Sequence, residues 1–587
     1  MAAIVSNNFR ALNAKGFIED VRSEQSNIYI GVGKSTAWQD ASADLQDFTD
    51  GQAPLPVDTI DDANEARANM IGMKLLKDGE VSHVVPRYDW TAGVVYAPWD
   101  SDDPNIYENN ENPFYVLTKD FKVYKCIDRV SATSQASDVP VKVQAAPFET
   151  ADGYKWKYMY TIIAADSEKF LTRSYMPVKT LTISTTAKAG VTATFANNAA
   201  RTIELANENP KITVGQKVTV AELASGSFGN VPVVTAISGK FVTISASTNA
   251  YGTDGDTVFT FGDFETTNPL YDQQQAQKNS VALAGGIDRI EVIDGGTGYT
   301  DNENTISGQI NIVGDGASAA VSGTASVIKN GTSILRVIPS TAGTKYSVAQ
   351  VSIIDSALAA GSGFQARAVI PPPSGHGVDP VTELGGFYVG LNSQISGVDD
   401  TDIANNQDFR QITIIKNPTV GTIPNDIIET KTAALARGNA RGTFRSTKFL
   451  SFDRTNSGIL TAVTTMANLV ANGNDVLLKG SQGAAASQGV IPRAYVTNVQ
   501  LDAGGNIGKI FYVQNSLTGY NAFPATDTVT YSNSAAPTGA VSGITLSASN
   551  GTTDYNKQTG EILFVENRDP IQRSSTQIED IKLILEF

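Results

Sequence analysis

Few side chains in this sequence can run chemistry through an imidazole or a thiol: there are two histidines, His83 and His376, and one cysteine, Cys126. A Ser-His-Asp or Cys-His relay needs one of those histidines. His83 sits in an apolar run with Val81, Val84 and Val85, and His376 lies between glycines after Pro371, Pro372 and Pro373. No nucleophile motif accompanies either, so each reads as a packed or turn histidine. G-x-S-x-G, P-loop and HExxH patterns are missing. Carboxylates are plentiful enough for pair-based hydrolysis but carry no local signature of it. A lone cysteine forms no internal disulfide and rules out cysteine-rich zinc sites. In the strand-like Val123-Tyr124-Lys125-Cys126-Ile127 it reads as a small buried hydrophobe. Asp100, Asp102 and Asp103, or Asp254 and Asp256, gather oxygen ligands without the spacing of a calcium loop, and read as acidic turns. The residue types therefore point to no catalytic residue, cofactor or metal.

Charge and length narrow the class further. The 587 residues carry 60 acidic and 44 basic side chains, a net charge of −16. Spread along the chain, that charge argues against nucleic acid, whose phosphates demand clustered Lys and Arg, and against anionic membrane surfaces. No stretch reaches the roughly 18 apolar residues of a membrane span, and Met1 to Ser6 do not open a signal peptide. The expectation is a protein made in a reducing cytoplasm without membrane insertion. At about 150 residues per domain the length suggests about four folding units.

The elements that must position these residues are mostly strands. Helical spacing is confined to Asn8–Val21, to Asp61–Lys77 with Ala63, Ala66, Met70 and Met73 on one face and Asp58 or Thr59 as cap, and to Ile427–Arg437 before Gly438. Elsewhere β-branched alternation is broken at short intervals by Gly, Asn, Asp and Pro, as in Lys217-Val218-Thr219-Val220 and Gln411-Ile412-Thr413-Ile414-Ile415. Such strands point to sandwiches or barrels. All four tryptophans (Trp38, Trp90, Trp99, Trp156) precede Val178, and from Lys179 to about Gly397 the chain turns rich in Thr, Ala, Ser, Gly and Val. That shift reads as the start of inserted β modules.

One insertion contains a repeat. Ile290-Glu291-Val292-Ile293 runs through Gly298-Tyr299 into Gln309-Ile310-Asn311-Ile312 and a small-residue strand at Ala317 to Val321. A second copy runs from Leu335-Arg336-Val337-Ile338 through Gly343-Thr344-Lys345-Tyr346 and Val351-Ser352-Ile353-Ile354 to Gly363 and Val369. A looser third copy spans Lys509 to Val513, Gly519-Tyr520, Thr528 to Thr530 and Gly539 to Val541. Units of this kind build β structures that share a core. With no helix pattern after them, the Gly-rich turns do not read as phosphate cradles.

Several separated motifs are more specific. Ala3-Ile4-Val5 with Phe9-Arg10, Ile28-Tyr29-Ile30-Gly31 leading to Trp38, and Val84-Val85-Pro86-Arg87-Tyr88-Asp89-Trp90 resemble the opening of the baseplate wedge subunit of T-even-type contractile-tailed bacteriophages. The resemblance continues through Val123 to Asp128 and Asp152-Gly153-Tyr154-Lys155-Trp156-Lys157-Tyr158-Met159-Tyr160. It resumes at Asp408-Phe409-Arg410-Gln411 to Pro418 and closes with Gly560 to Ile571, which includes Arg568, and Gln577 to Phe587.

The resemblance implies a non-enzymatic structural protein of the virion, assembled in the host bacterial cytoplasm, which forms a homodimer and joins other baseplate wedge proteins. The matching pieces imply a discontinuous, β-sandwich-like core domain of 1–180, 398–440 and 556–587; the chain departs from the family by what the composition and the repeat mark as an inserted β domain at 181–280, an inserted β-repeat domain at 281–397 and a second β-rich insertion at 441–555. Arg87, Trp90, Trp156, Tyr158, Tyr160, Arg410 and Arg568 are the expected interface or core anchors, being large and rigid or able to form bidentate hydrogen bonds. Ile578 to Phe587 alternates as a strand locked into a sheet. A receptor- or glycan-binding tail protein acting through the insertions is the alternative, and a tail hydrolase a third.

Overall fold

β-branched runs cut by turn residues become short antiparallel strands throughout the chain, in a computed structural model that describes all residues except 1–3, 39–50, 222, 224, 282–283, 300–304, 308–309, 316–324, 340–345, 354–360, 398–401, 406, 422–427, 440, 482–490, 535 and 575. The fold is mainly β with a few short helices. Its chain divides into two units, each drawn from separated segments: one from 1–18, 82–391 and 583–587, the other from 19–81 and 392–582.

Helix Asn7–Arg22 forms where the spacing predicts it, burying Ala11, Ala14, Phe17, Ile18 and Val21. The next helix, Ile60–Asn69, is capped by Thr59, whose hydroxyl oxygen accepts from the Asp62 N–H at 3.1 Å. It ends well before Lys77, because Met70–Leu75 is a strand. That strand pairs with Ile28–Gly33 on one side and Thr443–Arg445 on the other. A strand covered on both faces is apolar throughout, so its methionines mimic a helical stripe. Lys431–Arg437 is shorter than expected and ends at Gly438, while Ile427 lies outside the described residues.

The 19–81 and 392–582 unit contains an antiparallel five-stranded sheet ordered Thr443–Arg445, Met70–Leu75, Ile28–Gly33, Asp408–Lys416, Glu561–Gln572. Its central Ile28–Gly33 strand is buried along its whole length. A Cβ on Gly31 would lie 2.5 Å from Thr413 Oγ1 and 2.9 Å from Met70 Cε, so the close approach of these strands requires glycine. The same unit holds a closed six-stranded barrel of Lys448–Asp453, Ile507–Val513, Arg493–Gln500, Val476–Gly480, Thr528–Asn533 and Ala536–Gly551. Helix Ser457–Ala471, a segment read only as strands from sequence, packs Ala462, Val463, Met466 and Val470 against the barrel's Leu450, Phe452, Val529 and Leu546.

The 1–18, 82–391 and 583–587 unit contains a sheet ordered Tyr115–Leu117, Lys122–Asp128, Lys155–Thr161, Phe148–Glu149. Three small three-stranded sheets follow between Thr185 and Phe264. Both copies of the clear repeat then enter one seven-stranded sheet, in the order Thr305–Ser307, Ala325–Asn330, Ser333–Pro339, Arg289–Thr297, Ser362–Val369, Ala349–Ile353, Ile310–Gly314. The copies interleave: the first strand of one, through Ile290, pairs with Val337 and Ala368 of the other. Tyr299 and Tyr346, the tyrosines of the two turns, are buried in the same core with Ile312 and Val351. Ala317 to Val321, Gly343 to Lys345 and Ile354 lie outside the described residues. The looser third copy belongs to the barrel, and its Tyr520 is 59% exposed, so it does not share that core. Ile578–Glu586 is a strand, as its alternation predicts, at the edge of a four-stranded sheet with Tyr388–Ser396, Val81–Pro86 and Tyr175–Pro177.

Candidate functional site

In the Lys122–Asp128 and Lys155–Thr161 pair, the register sets Lys125 directly opposite Lys157, and both are buried. Like charges facing each other in a sheet repel, so something must compensate. Glu383 does, from the short helix Pro380–Glu383, with its carboxylate 2.9 Å from Lys125 Nζ. Lys157 donates to the Tyr158 carbonyl at 2.9 Å, and the Lys125 ammonium lies 4.4 Å from the Trp99 ring centroid. The second Glu383 oxygen accepts from the Gly377 and Asp379 N–H groups at 2.7 and 3.3 Å. His376 completes the cluster, with Nε2 at 2.5 Å from Asp288 and Nδ1 at 3.7 Å from Glu383. Gly377 has φ +80°, and a Cβ there would meet Lys157 Nζ at 2.9 Å, so the turn over the lysine needs glycine.

The charges are held in defined states. Burial alone would raise the Glu383 carboxyl, but the Lys125 ammonium, His376 and the Gly377 N–H outweigh it and hold it at about 2. Burial lowers Lys125 despite the attraction of Glu383, and brings Lys157 down to about 8. Burial also pushes the Cys126 thiol up, away from thiolate reactivity. Lys125, Lys157, His376 and Glu383 are all buried: Lys125 pairs with Glu383, Lys157 with backbone and His376 with Asp288, and among the described residues no serine or cysteine forms a hydrogen bond with His376. The arrangement locks chain segments together.

More ion pairs fasten the seven-stranded sheet to this region. Arg289, 5% exposed, donates to the Trp99 carbonyl and to Asp100 at 3.1 Å. Arg367 makes a bidentate pair with the same Asp100, and Arg336 reaches Asp128 at 2.5 Å. Asp100 is thus spent on two guanidiniums, and Asp254 accepts from the Asp256 N–H and the Thr257 hydroxyl within its own turn. Among the described residues, no group of three His, Cys, Asp or Glu side chains could hold a metal ion. No described helix is long and apolar enough to cross a membrane.

Helix Tyr271–Ser280 contributes residues the sequence reading missed. Its buried glutamines clasp the chain on either side of the 181–377 stretch: Gln273 donates to the Lys179 carbonyl at 2.9 Å, Gln274 to Thr182 at 3.0 Å and Gln277 to Val378 at 2.8 Å. Gln277 also accepts from the Leu181 N–H at 3.1 Å. The only signal was a Gln-rich run, Gln273 to Gln277, whose apolar content is too low to mark a buried helix.

The expected anchors fall in different environments. Trp156 and Tyr158 are fully buried beside Tyr124 and Cys126, Trp156 stacked on Tyr154 at 5.5 Å. Tyr160 alternates with them in sequence, yet packs in a separate cluster with Val123 and Met159, its hydroxyl donating to the Pro177 carbonyl at 2.9 Å. A register shift beside Met159, where Tyr124 opposes Tyr158 and Val123 opposes Tyr160, accounts for the switch of face. Trp90 is half-buried against the Trp156 cluster. Arg87 forms a bidentate pair with Asp89 at 2.8 and 3.0 Å and reaches the Thr172 carbonyl. Arg410 is 5% exposed and donates to the Ser35 carbonyl at 3.1 Å, whereas the Arg568 side chain is 38% exposed. His83 Nδ1 donates to the Gly386 carbonyl at 2.8 Å, a packed role.

The first helix presents a surface of another kind. Arg10 donates to the Phe587 carbonyl at 2.7 Å and to Glu586, and stacks over Phe387 at 3.8 Å. Phe17 packs on Phe587 at 5.6 Å between ring centroids. Phe9 and Leu12 of this helix, and Val5 just before it, are 52, 61 and 66% exposed.

A family model described as Phage-Gp8 (Bacteriophage T4, Gp8) matches residues 3–141. No curated protein matches the chain. The matched segment holds the first helix, the Ile28–Gly33 strand, Arg87, Trp90 and one of the two facing lysines, Lys125. Residues 3–141 are thus similar to the T4 Gp8 family, a family of phage baseplate wedge proteins.

Proposed function

We propose that the protein is a non-enzymatic baseplate wedge subunit of a contractile tail that dimerises and joins neighbouring wedge proteins during assembly. The observation that carries this reading is the exposure of apolar Phe9 and Leu12 on a helix fixed by Arg10 and Phe17, with Val5 exposed just before it. Contiguous exposed apolar surface beside rigid structure is what an association face requires. In this reading the core of 1–180, 398–440 and 556–587 carries 181–280, 281–397 and 441–555 as projecting modules. Trp156, Tyr158, Tyr160 and Arg410 serve as internal anchors, and Arg87, Trp90 and Arg568 remain available to partners.

Light scattering on the purified protein is expected to give the mass of a dimer, and Phe9→Glu with Leu12→Glu to give a folded monomer that no longer joins wedge intermediates. A monomeric wild-type protein with no affinity for other baseplate proteins overturns the reading.

A further inference from the structure

In the 19–81 and 392–582 unit, a cleft of about 1090 Å³ opens between helix Ile60–Asn69, the strand ends at Lys448 and Tyr512, and the 552–558 loop. Three cations line it: Arg67, Lys448 and Lys557. Among the described residues none of them is in an ion pair. Arg67 donates to Asn64 and to the Gly560 carbonyl, and its Nε is buried without an acceptor. Lys557 is half-buried and reaches only the Ala68 carbonyl, at 3.3 Å. The acidic residues of the lining do not neutralise them. Glu65 accepts from the Ser516 N–H and from the Asn69 and Tyr520 side chains, and Asp61 is exposed at the start of the helix. Cations withdrawn from water without a counter-charge destabilise a fold, and a bound anion reverses that penalty. In a chain of net charge −16 this cleft is a place of opposite sign.

We propose that the cleft binds an acidic polypeptide segment, with two or more of its carboxylates meeting Arg67, Lys448 and Lys557 and its chain lying against Tyr520 at the rim. A single inorganic anion would leave most of such a cleft empty, whereas its volume is at the upper end for an organic ligand and suits a short stretch of chain. Guanidinium and ammonium groups recognise carboxylates through short, charge-assisted hydrogen bonds. The choice of a polypeptide rests on the assembly reading above; the cationic character of the cleft does not. Burial and then the neighbouring Lys448 push Lys557 down to about 7. The other ionisable groups facing the cleft are Arg67, Asp61, Glu65, Tyr512, Tyr520 and Tyr555. An anion binds the protonated lysine, so affinity should be full below pH 7 and fall as the pH rises above it.

The test is calorimetric titration of the full-length protein with a hexaglutamate peptide, with inorganic phosphate and hexalysine run in parallel. Hexaglutamate is expected to bind, about tenfold more weakly in Lys557→Met and again in Lys448→Met, as the loss of one charge-assisted contact implies. Lys557→Arg should restore most of the affinity, and the wild type should bind more weakly at pH 8.5 than at pH 6. Melting of the variants at or above the wild-type temperature shows that the fold is intact. Failure of hexaglutamate to bind, equal binding by all variants, or binding of phosphate alone overturns the proposal. Because dimerisation is read separately through Phe9 and Leu12, a monomeric protein that still binds hexaglutamate refutes the dimer and not the cleft.

Discussion

The interleaved repeat sheet at 289–369 and the barrel at 448–551 are built from similar residues, but they are stabilised in opposite ways. The repeat sheet is open, and its fixed points are charged: Arg289, Arg336 and Arg367 reach out of it to Asp100, Asp128 and backbone carbonyls, and His376, just beyond it, meets Asp288. The barrel closes on itself, which removes its edges, and packs the apolar face of one helix against aliphatic and aromatic side chains from its strands. Each region has a buried core, but only the repeat sheet is also fastened by charged contacts to residues outside itself. Strand chemistry alone therefore does not decide whether a β module is autonomous: the disposition of edges and of charge does.

The sharpest way to break that comparison is to cut the regions out. Residues 446–552 alone should fold cooperatively, with dispersed NMR signals, whereas 285–371 alone should remain unfolded, and a folded 285–371 fragment would end the distinction. Next in size, Glu383→Gln should lower stability by about 3–5 kcal/mol, since it strands a buried ammonium, while Lys125→Met with Glu383→Gln, which removes that ammonium and keeps an acceptor for the Gly377 N–H, should recover much of the loss. Chemical denaturation of the three proteins checks this. In the barrel, Met466→Ala should cost about 2–5 kcal/mol as a cavity, with no dependence on salt.

Acid should separate the two units in sign. The depressed Glu383 carboxyl contributes stability that is present above its ordinary value of 4.5 and lost as the pH falls through that value toward about 2. Asp475, in the other unit, is raised by burial to about 6, so its penalty is full above pH 6 and relieved as the pH falls toward 3.8. Melting followed from pH 7 to pH 3 should show the first unit weakening below pH 4.5, after Asp475 has favoured the second. The smallest effect is expected at the exposed pair Lys188 and Asp256, where Lys188→Ala should change stability by less than about 0.5 kcal/mol.

Much of the strand content was legible because alternation and turn residues are local signals. The first helix, the Thr59 cap, the final strand and the two clear repeat copies follow from them. What escaped depended on partners distant in sequence. Met70 and Met73 keep helical spacing but are taken into a strand by Ile30 to Gly33 and Thr443 to Arg445. Helix Ser457–Ala471 is rich in Thr and Val, and only the interval Ile459, Val463, Met466, Val470 marks it. The Tyr160 switch of face comes from a bulge that no alternation reveals. The buried charge cluster joins Lys125, Lys157, Asp288, His376 and Glu383, and nothing in the neighbourhood of any one of them announces the others. Read singly, His376 looked like a turn residue; its role emerges only from the carboxylates that the fold brings to it.

Arg10 and Phe587 meet across 577 positions of chain. During synthesis the first helix leaves the ribosome long before Phe587, its partner for both the guanidinium and the Phe17 ring. The contact therefore ties the order of the first helix to residues at the opposite end of the sequence, so that a change at Phe587 is felt at the base of the helix that exposes Phe9 and Leu12.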